Sequence, residues 1–390
     1  MAGNRNADEL LRWGLANSNR GDGAPSIAQI SEDIAAGRRP DLADPALYEA
    51  IMGKSEAQMM IEELTVAADT SRSIDDRAVA LDNFEMLIEQ IDNANNMESL
   101  GMWPVVISFC GSEHDPQIQS AGAWIIGTAI QNNDKAQVVA LRHGVLRALL
   151  PLLGSSSAEV RSRGIYAISS LLRHFPRAVT EFSEANGWES LRKTVADPAP
   201  AVRRKTAFLL GQLITQDTSE PGRAPAEHSP STAMVAADGK PDQDGSLIPS
   251  APLEEGPATL KLGSEHPDVS AAILNNGIAA TMLGTVLAPA TLQAAVAQPG
   301  LAHADAEVAQ ASFNACPDAY NDLDYAEKAV TTLSALAAKV GTAYPLPRVL
   351  YAALVHDLQG QPSDSAAGAT RAAELGLDKE TLQPLAQFAN

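Results

Sequence analysis

The sequence predicts an all-α fold in which short helical repeats stack into an α-solenoid. Three observations carry this prediction. An apolar pattern recurs about every 42 residues, aromatic residues make up only 4% of the 390-residue chain, and the 2 cysteines are too few for a disulfide framework or a four-thiolate zinc site. Repeats that bury their apolar stripes against neighbouring repeats need no large central core, which fits a chain poor in aromatic residues.

The repeat is clearest in helix-forming segments that begin at Ile118, Val160 and Val202, which lie 42 residues apart. The same interval before Ile118 reaches Asp76, where a similar apolar pattern begins. A second marker is a set of glycines 43 residues apart: Gly101, Gly144 and Gly187. Each unit is therefore predicted to contain a glycine turn, an apolar helix, a polar turn and a second, amphipathic helix.

Composition divides the chain into five segments. Seven prolines and no aromatic residue over 216–258 indicate a disordered insert, and the apolar pattern resumes at Asp268. The predicted organisation is a mobile N-terminal segment with a short apolar motif (1–45), helical repeats (46–215), the insert (216–258), further repeats (259–345) and a tail (346–390).

The chain is acidic, with a formal net charge of −20, but its charge is uneven. Residues 142–205 hold 11 Lys and Arg against 5 Asp and Glu. The overall acid excess argues against nucleic acid as a partner, because phosphate binding needs a clustered cationic surface. The most apolar stretch, 278–297, is broken by polar residues and predicts a buried helix pair rather than a membrane span. We expect a monomeric, cytoplasmic protein that does not bind membranes.

No motif for catalysis or metal binding stands out. The 7 histidines lack metal-ligand spacing, and neither a phosphate-cradling Gly-x-x-x-x-Gly-Lys nor a nucleophile-bearing Gly-x-Ser-x-Gly occurs. The sequence therefore favours a protein that is not an enzyme and that binds no cofactor and no metal.

Four sequence segments resemble segments of known protein families and so indicate the class of protein. The segment from Gly144 to Leu153 resembles part of an armadillo repeat, which implies a right-handed solenoid. The other three, in this order, resemble the fungal Fes1-type nucleotide exchange factors and their animal counterparts, the HspBP1-type Hsp70-binding proteins. They are Leu10-Leu-Arg-Trp-Gly-Leu-Ala-Asn-Ser18, Leu81-Asp-Asn-Phe-Glu-Met-Leu-Ile-Glu-Gln-Ile-Asp-Asn-Ala-Asn-Asn96 and Ile126-Gly-Thr-Ala-Ile-Gln-Asn-Asn133. The resemblance covers residues 8–215 well, 259–345 loosely and the tail not at all.

This resemblance implies a co-chaperone. Members of the family bind the nucleotide-binding domain of Hsp70 chaperones, speed ADP release and so promote client release and folding. It also implies a link to translation, with indirect ribosome association. The repeats by themselves leave two alternatives open, an armadillo adaptor that holds extended peptides and a plain scaffold. The asparagine ladder typical of such adaptors is missing here.

Residues at equivalent positions on the second helices of successive repeats form columns along the predicted solenoid. The columns that face away from the neighbouring repeats predict the partner-binding residues. One column carries a ring in three successive units: Trp124, Tyr166 and Phe208. Rings in register on a surface suit interface anchors, and the alternative is that they pack between repeats. The neighbouring columns add Glu85, Glu89, Gln131 and Arg173.

Two asparagine-rich strings end their helices and are open to two interpretations, contact with the partner or capping of the chain. The resemblance favours contact, which predicts site residues at Asn93, Ala94, Asn95, Asn96, Asn132 and Asn133. The small Ala94 would permit close approach of the partner. Lys205 is expected to meet carboxylates on the chaperone, whereas Arg203 and Arg204 are expected to be solvated.

A short apolar run near the N-terminus resembles the extended peptides that Hsp70 binds. It comprises Leu10, Leu11, Trp13 and Leu15. One hypothesis is that this run mimics a client and helps to eject it. The other is that it forms a short helix packed on the first repeat.

Overall fold

The computed structural model describes residues 54–219, 266–341, 343–360 and 370–388. Over these residues the chain is helical and contains no strand, which confirms the predicted all-α class. The chain divides into two compact units, Met1–Asn96 (unit 1) and Met97–Asn390 (unit 2).

Unit 1 contains a packed helix pair, α1 (Glu56–Ala68) and α2 (Ile74–Ile88). Ser73 begins α2, because its hydroxyl accepts a hydrogen bond from the Asp76 N–H at 3.1 Å. A third helix, α3 (Ile91–Ser99), follows, and the boundary between the two units falls within it. The apolar interior of the pair is formed by Met60, Leu64, Leu81, Phe84 and Ile88.

Unit 2 holds the remaining helices. Among its described residues, two short 3₁₀ helices also occur, Pro317–Asn321 within the α-helical series and Pro384–Phe388 after the last α-helix. The α-helices are α4 (Trp103–Ser108), α5 (Pro116–Ile130), α6 (Asp134–Arg142), α7 (Val145–Leu152), α8 (Ala158–Leu172), α9 (Pro176–Glu184), α10 (Gly187–Val195), α11 (Pro200–Gln216), α12 (Val269–Asn275), α13 (Ile278–Val286), α14 (Pro289–Val296), α15 (His303–Ala315), α16 (Leu323–Val340), α17 (Arg348–Gln359), α18 (Arg371–Glu374) and α19 (Lys379–Leu382).

Each full repeat contains three helices, not the predicted two. In the repeat α6–α7–α8 the additional helix is α6, which Asn133 begins by accepting a hydrogen bond from the Ala136 N–H at 3.2 Å. Gly144 makes the turn from α6 to α7 with a φ of 73°, a conformation that glycine adopts without steric cost. The period of the repeat gives the length of the unit but not its number of helices, so the pattern does not reveal the short first helix. The next repeat, α9–α10–α11, has the same three-helix, armadillo-like plan.

The long third helices stack side by side, α5 on α8, α8 on α11 and α11 on α16. Glycines permit the close approach, since a Cβ on Gly127 would lie 2.3 Å from the ring of Tyr166. A buried side chain also links two repeats, because Gln137 Nε2 donates to the carbonyl of Ser170 at 2.6 Å. These contacts fix the register of the helices that carry the site described below.

The last repeat is not regular. Its first two helices are α12 and α13, but α14, α15 and a 3₁₀ helix come before α16, which packs on α11. All nine residues of α13 are buried, whereas α14 buries only Leu292 and Ala295. The prediction of a buried helix pair over 278–297 therefore holds for α13 and is wrong for most of α14. Within the described ranges no single helix is long and apolar enough to cross a membrane. Helices α12 and α13, which are bent by 68° relative to each other, are together long and apolar enough by length and composition alone.

The predicted tail is wrong in part. Helix α17 buries Leu350, Tyr351 and Leu354, and the ring of Tyr351 stacks on Phe388 at a centroid distance of 4.8 Å. The apolar residues of this packing are spread over α17 and the final 3₁₀ helix, so no single stretch shows a strong period. The segment 1–45 and all but residues 216–219 of the insert lie outside the described residues.

Candidate functional site

Unit 2 has a cleft of about 500 Å³ on the face formed by its third helices. The lining comes from the end of α5, from α8 and α11, and from the start of α16. Its residues are Gln131, Asn132, Ile165, Tyr166, Ser169, Ser170, Arg173, Ala201, Arg204, Lys205, Phe208, Asp324 and Lys328. The predicted residues Gln131, Asn132, Tyr166, Arg173, Lys205 and Phe208 are thus brought together.

The three rings of the column differ in their packing: Trp124 and Tyr166 are half-buried, whereas Phe208 is exposed. Trp124 and Tyr166 stack on each other with centroids 4.6 Å apart, and the Arg163 guanidinium lies 3.6 Å from the centroid of the Trp124 ring. These two rings therefore pack between neighbouring repeats, although Tyr166 also lines the cleft. Phe208 differs, because 44% of its surface is exposed. It presents an apolar group to the cleft.

Two of the four cations that line the cleft have carboxylate partners. Arg204 pairs with Asp322 at 2.7 Å and with Asp324 at 3.3 Å. Lys328 pairs with Asp324 and lies 3.5 Å from Glu327. The expectation that Arg204 is simply solvated is therefore wrong, because these carboxylates hold it at the edge of the cleft.

The other two cations, Lys205 and Arg173, have no carboxylate partner within the residues that the structure describes. Lys205 is half-buried, and its Nζ donates to the Ser162 hydroxyl at 2.8 Å. Burial lowers the pKa of Lys205 and the charge of Arg163 lowers it further, whereas Glu159 acts in the opposite direction. An anion that entered the cleft would meet these two cations, neither of which forms an ion pair with a described carboxylate.

Arg203, the neighbour of the cleft cations, has a structural role. Only 3% of it is exposed, and its guanidinium pairs with the buried Asp322 at 2.6 Å. It also lies 3.4 Å from the sulfur of Cys316. The expectation that Arg203 is solvated is wrong, because the residue fixes α16 against α11.

The amides at the end of α5 serve different purposes. Asn132 is exposed with a φ of 53°, a left-handed turn that asparagine tolerates. Gln131 is also exposed, and its Oε1 accepts a hydrogen bond from Tyr166 at 3.1 Å. Asn133 is buried and begins α6, so the capping interpretation is correct for this residue and surface contact is not.

The predicted site residues of unit 1 are only partly at the surface. Ala94 is 2% exposed and Asn93 is also buried, with its Nδ2 donating to Glu56 at 2.7 Å. These two residues pack inside unit 1, so the prediction that they touch a partner is corrected. Small and amide side chains serve cores and caps as well as interfaces, and the sequence pattern is the same. The remaining residues are exposed or half-buried: Glu85, Glu89, Asn95 and Asn96.

Two further expectations concern the apolar run near the N-terminus and metal binding. The run, which comprises Leu10, Leu11, Trp13 and Leu15, lies outside the described residues. No group of three or more His, Cys, Asp or Glu that could hold a metal ion occurs in the described part of the chain.

Seven of the thirteen residues that line the cleft are absent from the predicted site, and they include Asp324 and Lys328. Both lie on α16, which the irregular helices of the last repeat separate from α11 along the chain. The 42-residue register therefore does not extend to them. The acidic and basic residues at the start of α16 were the available signal, but their sequence alone does not say that they face α11.

Comparisons with known proteins give consistent results over most of the chain. The family model described as nucleotide exchange factor Fes1 matches residues 7–97, and the model of the SIL1/FES1/HPBP1 C-terminal domain matches residues 93–234. The Hsp70 nucleotide exchange factor FES1 of Mycosarcoma maydis is 47% identical over 387 residues, which are 97% of this chain and 96% of that protein. The protein of the same description from Cryptococcus neoformans var. neoformans serotype D is 38% identical over 218 residues, 53% of this chain and 57% of that protein. Among solved structures, a designed armadillo repeat protein matches 86% of this chain and 100% of its own length with 11% identity and a TM-score of 0.48.

Proposed function

The chain belongs to the Fes1 family of nucleotide exchange factors, and we propose that it binds the nucleotide-binding domain of an Hsp70 chaperone and accelerates ADP release there. Rebinding of ATP then promotes client release and folding. The observation that carries this proposal is the 47% identity to an Hsp70 nucleotide exchange factor over 97% of the chain. The proposal includes a cytosolic location, action as a monomer and an indirect association with ribosomes.

Exchange requires binding that discriminates between two states of the partner. A partner protein shifts the closed and open states of the Hsp70 nucleotide cleft only if it binds the open state better. A tenfold shift needs a difference of about 1.4 kcal/mol in binding free energy. The rigid row of third helices can supply it, because packed helices do not relax to fit the closed state. No chemical step by this chain is needed, and the co-chaperone class of its family is not a class of enzymes.

We assign the contact with Hsp70 to the cleft of unit 2 and to the surface residues of unit 1. In unit 2 the contact residues are Tyr166, Arg173, Lys205 and Phe208 together with Gln131 and Asn132. Phe208 supplies an exposed apolar anchor and Lys205 an unpaired charge. Such an interface buries on the order of 1,600 Å² in total, with most of the binding energy in a few central residues.

The test is a direct measurement of nucleotide release. Hsp70 is loaded with fluorescent ADP and mixed with excess ATP and increasing amounts of this protein. We expect the release rate to rise and to saturate with the concentration of the protein. A release rate that does not change at any concentration would contradict the proposed function. Phe208→Ala is expected to raise the concentration needed for half-maximal acceleration.

A further inference from the structure

Two stretches of unit 2 meet at a single carboxylate, although the segment 220–265 separates them along the chain. Asp217, which ends α11, accepts hydrogen bonds from the Ser219 N–H at 2.8 Å and from the Val269 N–H at 3.1 Å. Ser219 is the last described residue before the connecting segment, and Val269 begins α12 soon after it. Because both backbones bond to one side chain, they lie within about 8 Å of each other. The folded part of unit 2 therefore fixes both ends of the connection.

The helices after the connecting segment have an interior of their own. The hydroxyl of Tyr325 on α16 lies 2.7 Å from that of Thr285 on α13, and Tyr351 on α17 donates to a backbone carbonyl of α16 at 3.1 Å. Helices α13 and α15 approach so closely that a Cβ on Gly284 would lie 2.2 Å from the Ala309 carbonyl oxygen. These contacts join α13, α15, α16 and α17 without the repeats. We call residues 266–388 the C-terminal module and residues 97–219 the repeat body.

The module and the repeat body meet along α11 and α16, with a buried ion pair at each end of the contact. At the start of the two helices, Asp322 of the module lies 2.6 Å from Arg203 of the body, and both side chains are buried. At their far ends, Lys339 of the module lies 3.1 Å from the fully buried Asp217 of the body. The two helices are therefore parallel, and each ion pair has one partner in the body and one in the module.

Close packing and overall charge also favour this contact. Between the two ion pairs, a Cβ on Gly211 would lie 2.9 Å from the Thr332 hydroxyl oxygen, and α13 packs on α10. The repeat body holds 12 Lys and Arg against 10 Asp and Glu, whereas the module holds 5 against 12. An acidic module thus faces a slightly basic body, and such complementarity specifies how two surfaces pair.

We propose that α10 and α11 form a docking surface whose partner is the C-terminal module of the same chain, and that the module stays bound there when the connecting segment is cut. Buried ion pairs and close-packed helices hold the contact, and none of the residues that form them lies in 220–265. The connection then serves to keep the module at a high effective concentration near the body. This inference does not depend on the proposed function, because the contact is measured without Hsp70.

The test cuts the folded, full-length protein at one place. A recognition sequence for tobacco etch virus protease replaces residues 238–244, and the protein is cleaved after purification. We expect the two pieces to elute together in size-exclusion chromatography at about 10 μM protein. The melting temperature of the cut protein should rise with its concentration, whereas that of the uncut protein should not, because only the cut protein dissociates on unfolding.

A shortened connection tests the same inference without a cut. Replacement of residues 221–264 by six Gly and Ser residues still spans the distance between the two ends. Because the composition of 216–258 predicts disorder, the shorter connection should lower the entropic cost of closing the loop. We expect the folding equilibrium constant to rise by up to about twentyfold, and the melting temperature with it. A variant that aggregates, or that melts below the wild type, would show that the segment helps to dock the module.

A variant pair connects the association to the buried charges. In the cut protein, Lys339→Met should raise the concentration at which half of the pieces separate by at least about tenfold, since Asp217 loses its ammonium partner. The matched control is Lys379→Met, because Lys379 is an exposed lysine of the same module. It should leave that concentration unchanged. The uncut Lys339→Met protein serves as the control for folding and should elute as one species.

The possible results lead to different conclusions. Wild-type pieces that elute separately at about 10 μM, or a cut protein whose melting temperature does not depend on its concentration, would overturn the inference without recourse to any variant. Equal effects of Lys339→Met and Lys379→Met would overturn the role of the ion pair. Pieces that elute together and respond only to Lys339→Met would support the docking surface, whether or not the protein accelerates ADP release.

Discussion

The buried ion pair between α11 and α16 should be a main determinant of the stability of unit 2. Asp322 and Arg203 have side chains that are each 4% exposed, and they lie 2.6 Å apart. Asp322→Asn removes the charge but keeps an oxygen that can accept from the Tyr325 N–H, as Asp322 does at 3.2 Å. The guanidinium of Arg203 is then left buried without its counter-charge. Breaking a buried pair in this way costs about 3 kcal/mol or somewhat more.

The neighbouring Asp324 provides the matched control. Its side chain is 49% exposed, and it pairs with Arg204 at 3.3 Å. Asp324→Asn removes the same charge two residues away, but in a hydrated position where an ion pair contributes less than about 1 kcal/mol. The comparison isolates the effect of burial from the effect of losing one negative charge.

Urea unfolding followed by circular dichroism measures the difference. With a slope of about 3 kcal/mol per M, Asp322→Asn should lower the midpoint by about 1 M and Asp324→Asn by about 0.3 M or less. Burial raises the pKa of Asp322, but hydrogen bonds from Arg204, the Tyr325 N–H and Arg203 outweigh it, and the net pKa is lowered. The carboxylate therefore stabilises the fold above about pH 4, and its contribution is lost as the solution becomes more acidic. Equal midpoints for the two variants at pH 7 would refute this account of the pair.

Three further predictions concern burial in unit 1, a second buried carboxylate and the N-terminus. Ala94→Arg should lower the melting temperature and cost about 3 kcal/mol or more, because it forces a charge into the interior of unit 1; a variant that melts like the wild type but fails to bind Hsp70 would show that Ala94 is a contact residue instead. Asp217 is buried, with Lys339 at 3.1 Å and His266 at 3.4 Å. Burial raises the pKa of Asp217, but hydrogen bonds from His266 and Ser219 outweigh the effect of burial and lower the pKa to about 2. Asp217→Asn should therefore cost about 2 kcal/mol at neutral pH, a cost that shrinks between about pH 4 and pH 2, and a pH-independent cost would contradict this. Deletion of residues 1–16 should leave ADP release unchanged and slow client release, and unchanged rates of both would exclude the client-mimic hypothesis.

The apolar period of the sequence was enough to place the long third helices. Residues separated by 42 positions occupy equivalent places on α5, α8 and α11, and this register led to Tyr166, Arg173 and Phe208 of the cleft. The short first helices could not be predicted in this way, because the length of a repeat does not determine the number of helices in it. The capping asparagine Asn133 was the available signal for α6.

The sequence pattern failed in two places for physical reasons: it missed two residues of the cleft that lie on α16, and it placed two buried residues at the surface. Asp324 and Lys328 reach the cleft only because α16 packs on α11, across an irregular segment that breaks the register. Ala94 and Asn93 fit a surface assignment because small and amide residues occur at interfaces and in interiors alike. Their burial depends on the contacts of α3 within unit 1, such as the hydrogen bond from Asn93 to Glu56 at 2.7 Å.

The most direct test of the central claim is the rate of ADP release from Hsp70 in the presence of one charge-reversed variant of the cleft. Lys205→Glu is compared with the wild type and with Lys193→Glu, an exposed position away from the cleft. We expect saturable acceleration by the wild type and by Lys193→Glu, and a severalfold weaker effect of Lys205→Glu at the same concentration with an unchanged melting temperature. Acceleration by Lys205→Glu equal to that of the wild type would contradict the assignment of the cleft to Hsp70 binding.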